Sequence, residues 1–158
     1  MIDLNNPVWT AIRGAGARVD ACLRRLEAGE GDFRENVARL ADNTSHQLSW
    51  YDVTAYALPH VARLCEKLSV EEKPYLIAQM GPAVAAESQV SLSPDTEEFR
   101  EFHEGLAPLA QEARELVEHH MEEIKALPKD LPLVFAVAAL ALLWDRKRAW
   151  YLYLWAPW

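Results

Sequence analysis

The chain has 158 residues, 51% of them apolar and 25% charged, and its 16 basic and 24 acidic residues give a formal charge of −8. That length allows one domain with a substantial core, and the composition is that of a globular protein. So anionic a surface repels phosphate backbones, which argues against nucleic acid; the single basic cluster, Arg146-Lys147-Arg148, is too small to carry such binding.

Period-2 alternation and hairpin dipeptides are nearly absent, so an all-helical fold is expected. The first seven residues carry no basic or apolar leader, so no signal peptide is expected and a cytoplasmic location is the default. Asn6-Pro7 caps a first helix, with a break at Gly14-Ala15-Gly16 and a stop at Gly29. Asp32 caps a second helix carrying Phe33, Val37, Leu40 and Ala41. Residues 43–48 read as a loop, and Ser49 as the cap of a third helix. Its stripe is Trp50, Val53, Ala57, Val61, Leu64 and Leu68, with Pro59 inside it as a kink. Ser69 and Glu72 form a capping box for a fourth helix, with Gly81-Pro82 as a kink or stop.

After a linker over 90–95, Ser93-Pro94 starts the longest helix, which runs to Leu127 with a bend at Pro108. Phe99, Phe102, Leu106, Leu109, Ala113, Leu116, His120, Ile124 and Leu127 form its apolar stripe, and nine glutamates between 97 and 123 fill its other faces. Asp130 caps a last apolar helix. The run from Leu131 to Trp144 is 14 residues, short of the roughly 20 needed to cross a bilayer. Cys22 and Cys65 sit among apolar residues at helical spacing and read as buried thiols. The helices fall into antiparallel pairs, 7–28 with 32–43, 49–68 with 70–88 and 95–127 with 131–144. The repeat length of about 40–45 residues suits a two-helix solenoid.

Within residues 33–81 stand Phe33, Val37, Leu40-Ala41, then His46-Gln47, then Tyr51, Thr54-Ala55 and Ala57-Leu58-Pro59-His60, then Leu76 and Gly81. This third of the chain resembles bacterial HEAT-repeat-like alpha-solenoid proteins. There a His-Gln loop precedes a helix with a Thr-Ala pair and an Ala-Leu-Pro turn, and a second helix closes on glycine. The resemblance implies a short right-handed alpha-solenoid of about three antiparallel helix pairs, HEAT/armadillo-like, spanning 1–158 as one domain. It marks Thr54, Pro59 and His60 as motif residues and carries no established chemistry; by analogy it suggests an adaptor or immunity-type role. The chain departs from the pattern after residue 144, where small, polar closing residues would be expected.

The aromatic tail over 145–158 stands out. Trp144, Trp150, Tyr151, Tyr153, Trp155 and Trp158 lie beside Arg146, Lys147 and Arg148. Tryptophan, tyrosine and arginine are the side chains most enriched at binding hot spots. Trp144, Arg146, Arg148, Trp150, Tyr151, Tyr153, Trp155 and Trp158 are therefore the expected interaction set. The tail can alternatively fold back as a last helix that closes the core, or touch a membrane surface. His60, following the proline, can bond a carbonyl that Pro59 frees. Glu115, His119 and Glu123 share a helical spacing that, with His120 and His46, could hold a metal ion; the plainer reading is an exposed acidic face. The leading expectation is a non-enzymatic protein–protein interaction module without cofactor. Its partner would be a protein, a basic one given the glutamate face, or a second copy through the tail. The alternative is a metal-dependent helical-bundle enzyme using His46, His119 and His120.

Overall fold

The computed structural model describes residues 1–11, 16–46, 49–90 and 92–155, with only the backbone of His46 and Ser49. The expected break at Gly14-Ala15 and the residue Trp158 lie outside the described residues. Among those described, the helices are α1 (Val8–Ala11), α2 (Gly16–Ala28), α3 (Phe33–Thr44), α4 (Val53–Lys67), α5 (Lys73–Ala86), α6 (Glu97–His119), α7 (Met121–Lys125), α8 (Leu131–Leu143) and α9 (Arg146–Trp155). A 3-10 turn at Glu87–Gln89 follows α5. The regular structure of the described residues is helical apart from one two-residue antiparallel ladder, β1 (Ser45–His46) with β2 (Ser49–Trp50), in which Ser45 faces Trp50.

Several boundaries follow directly from local chemistry. Gly29 adopts φ 67°. Its N–H reaches Leu26 O at 3.2 Å and the Glu30 N–H reaches Arg25 O at 2.9 Å, the paired bonds that close a helix on a left-handed residue. Asp32 Oδ1 accepts from the Glu35 N–H at 2.8 Å and starts α3. Glu72 Oε2 accepts from the Ser69 N–H at 3.3 Å, the back-reaching half of the capping box.

Other expected boundaries move. Ser49 pairs in the ladder, so α4 starts at Val53. The helix does not stop at Gly81-Pro82, and α5 continues to Ala86. Thr96 caps α6, its Oγ1 accepting from the Phe99 N–H at 3.3 Å. The long helix ends at His119, because His120 takes φ −130°, ψ 42° and the backbone restarts as α7. Asp130 makes no side-chain cap; Pro132 in the first turn of α8, lacking an N–H, suits a helix start.

Packing runs in two rows. The helix α4 lies against α2 on one side and α6 on the other, while α5 lies against α3 and α8. Flanked on two sides, α4 is buried without interruption from Val53 to Ala62. Two glycines set the closest approaches. A Cβ on Gly105 would meet the Leu58 carbonyl carbon and the Pro59 nitrogen, and one on Gly81 would meet the Tyr153 hydroxyl and Ala138. Gly105 therefore lets α6 cross α4 with backbone touching backbone at Pro59, while Gly81 lets α5 approach Ala138 of α8 and leaves room for the Tyr153 hydroxyl of α9. Thr54 Oγ1, fully buried, donates to Thr44 O at 2.6 Å and ties the end of α3 to the start of α4. Lys73 Nζ meets Glu112 Oε2 at 2.6 Å, tying α5 to α6. One hydrophobic cluster runs from Leu4 to Tyr153.

Candidate functional site: the two faces of the last helix

Residues 146–155 of the tail form α9, which packs on α8, on α5 and on the 3-10 turn. Asp145 builds its start: Oδ1 accepts from the Arg148 N–H at 2.9 Å, and the Asp145 N–H still reaches back to Leu140 O at 2.9 Å. The turn between α8 and α9 is thus held from both sides.

The inner face of α9 is core. Ala149 is fully buried and Tyr153 is 4% exposed, its hydroxyl donating to Val134 O at 3.3 Å. Burial pushes the Tyr153 phenol well above the ordinary range. Trp150 packs partly buried against the same cluster. Arg146 Nε donates to the buried Glu87 Oε2 at 2.8 Å, and its guanidinium lies 5.9 Å from the centre of the Phe102 ring. Tyr153, Trp150 and Arg146 face inward because a helix docked on its neighbours must bury one side.

The outer face carries Trp144, Arg148, Tyr151 and Trp155 of the expected set, and Trp158 lies outside the described residues. Trp155 is 83% exposed and Trp144 71%, with Tyr151, Leu152 and Leu154 exposed between them and Lys147 and Arg148 alongside. Leu133 of α8 is exposed as well. A surface leucine alone needs no explanation, but five large apolar side chains on one helix and its leading turn form a patch.

The motif residues are structural. Thr54 and Pro59 are buried in the crossings described above. His60, 3% exposed, does not bond a carbonyl freed by Pro59. Its Nε2 stands 2.7 Å from Ile2 O, so the ring pins the N-terminal segment, and Trp9 meets it edge-on at 5.7 Å. A carbonyl only accepts, which makes Nε2 the protonated nitrogen. His60 Nδ1 has no hydrogen-bond partner and lies 3.5 Å from Glu27 Oε1.

His119, at the end of α6, is exposed, and His120, at the break before α7, is half-buried. His119 lies 3.9 Å from Glu118, and His120 lies 3.6 Å from Glu123. The break at His120 takes Glu115, His119 and Glu123 off a common helical face, and no three histidine, cysteine or carboxylate side chains converge among the described residues. The His46 side chain lies outside them. Both cysteines are free and buried. Loss of hydration pushes Cys65 up to about 12 and raises Cys22, which makes both poor nucleophiles.

The glutamate face of α6 is partly structural too. Glu101 and Glu104 hold the Met1 amine at 3.2 and 2.5 Å, raising its pKa chiefly through the bond to Glu104. Glu112 pairs with Lys73. At the start of α6, Glu98 Oε1 accepts from the Tyr56 hydroxyl at 2.9 Å. It borders an open cleft of about 480 Å³, lined among the described residues also by Val8, Ala11, Trp50, Tyr51, Asp52, Val53 and Tyr56. Asp145, Glu87 and this cleft were not marked by sequence reasoning. Only Asp145 has a local signal, an aspartate just after an apolar run and before a new helix.

Comparison with protein-family models, with characterised proteins and with solved structures gives no match to this chain. No helix among the described residues is long and apolar enough to cross a membrane.

Proposed function

We propose that the chain is a non-enzymatic protein–protein interaction module whose docking surface is the outer face of α9. The exposure of Trp144, Tyr151, Leu152, Leu154 and Trp155 on a helix whose opposite face is anchored carries this reading. These side chains leave roughly 500 Å² of apolar surface open, a size at which a patch is commonly an interaction site. Lys147 and Arg148 edge it, as charged rims edge hot spots. The contacts α2–α4–α6 and α3–α5–α8 support reading the scaffold as a short right-handed solenoid, HEAT-like in kind. An adaptor or immunity-type role in a bacterial cytoplasm is the biological setting we favour. The exposed glutamates Glu115, Glu118 and Glu122 would steer a basic partner towards it.

The test is affinity capture with the wild-type chain beside Tyr151→Ser/Trp155→Ser. The reading expects a protein, or a second copy of the chain, retained by the first and lost from the second at equal thermal stability. The same protein retained by both would overturn it, as would a monomer that retains nothing.

A further inference from the structure

We infer that the cleft between α1, β2, α4 and the first turn of α6 is a binding site for a small organic cation of the quaternary or tertiary ammonium class. It is separate from the α9 face in its residues and in its chemistry. Its volume of about 480 Å³ lies within the range of small-molecule pockets, roughly 300–1,000 Å³.

The lining selects the ligand. Trp50, Tyr51 and Tyr56 supply three aromatic rings, the groups whose π-faces attract alkylammonium ions. Asp52 and Glu98 supply two carboxylates. Among the described residues neither is paired with a cation. Glu98 is nevertheless held in place by the Tyr56 hydroxyl at 2.9 Å. Trp50 is braced edge-on against the buried Phe102, ring centres 5.4 Å apart. The local potential is negative. Burial first, then the bond to Glu98, then the charges of Glu98, Glu97 and Glu101 all push the Tyr56 phenol above its ordinary range.

Other ligand classes fit poorly. Among the described residues no basic side chain lines the cleft, so a phosphate or carboxylate would meet the repulsion of Asp52 and Glu98 there. A neutral apolar ligand would strip water from two carboxylates and give nothing back. A hard metal ion wants six or more oxygen ligands in close convergence, and two carboxylates do not provide them. A cation with an apolar shell satisfies rings and carboxylates together.

The experiment titrates the full chain with choline and with its neutral isostere 3,3-dimethylbutan-1-ol, read by calorimetry and by tryptophan fluorescence. Saturable choline binding, at least about tenfold tighter than the isostere, is expected. Asp52→Asn with Glu98→Gln should weaken choline by about tenfold or more and leave the isostere unchanged. Asp52 is exposed, and a glutamine at 98 can still accept from the Tyr56 hydroxyl, so the double variant should melt with the wild type. Equal affinity for the two probes would overturn the inference. So would unchanged choline binding in the double variant, or no saturation by about 10 mM. None of these outcomes depends on the α9 surface.

Discussion

Replacing Gly105 with alanine tests the packing of the two central helices. At an exposed helical site that change stabilises by about 1 kcal/mol, because alanine is the better helix former. Here the added methyl would meet the Leu58 carbonyl carbon, the Leu58 oxygen at 2.7 Å and the Pro59 nitrogen at 2.5 Å. Those are backbone atoms and cannot rotate aside, so α6 must lift from α4. Leu58, Phe102 and Leu109 are buried at this crossing and would lose contact together. Overpacking of a dense core costs about 1–3 kcal/mol, and parting two helices takes it to the upper end. After the propensity gain we expect a net loss of about 2 kcal/mol, a fall in Tm of roughly 4–8 °C for a chain this long. Urea denaturation with an unchanged m-value is the assay. Equal or greater stability would refute the close approach of α4 and α6.

Further expectations follow from individual bonds. Thr54→Val keeps the shape but removes the hydroxyl on Thr44 O, and should cost about 1–3 kcal/mol in the same assay. Arg146→Met strands the buried Glu87 carboxylate and should destabilise by about 1–3 kcal/mol, with Arg146→Met/Glu87→Met recovering most of the loss. Cys65, pushed up to about 12, should resist thiol reagents at pH 8 until the chain unfolds. Its native form therefore holds a proton that the unfolded thiol releases near pH 9, so stability should decline as pH rises from about 9 towards 12. Denaturant midpoints that stay level across that range would contradict this.

How much was legible in the sequence depended on whether the deciding chemistry was local. Gly29 and Asp32 act within a few residues, and both boundaries could be read. The burial of α4 on more than one side was legible in its near-unbroken apolar run. The end of α6 was not: Leu116, His120, Ile124 and Leu127 continue the helical spacing straight across the break, and nothing beside His120 announces it. Pairing of Ser49 with His46 was hidden because two-residue strands leave no alternation. The tail marked itself as exceptional by composition, yet Trp150 to Trp155 are all apolar, so no periodicity could say that Tyr153 turns in while Trp155 turns out. The cleft was invisible because Tyr56 and Glu98 stand far apart along the chain and meet only through the docking of α4 on α6.

The division of α9 into an anchored face and a docking face is tested most directly by measuring stability and partner capture together in two variants. Tyr153→Ala should lose about 3–5 kcal/mol, as expected for emptying a buried aromatic site. Tyr151→Ser/Trp155→Ser should stay within about 0.5 kcal/mol of the wild type and lose the captured protein. If the outer-face variant unfolds as readily as the inner-face one, or keeps its partner, the division is wrong.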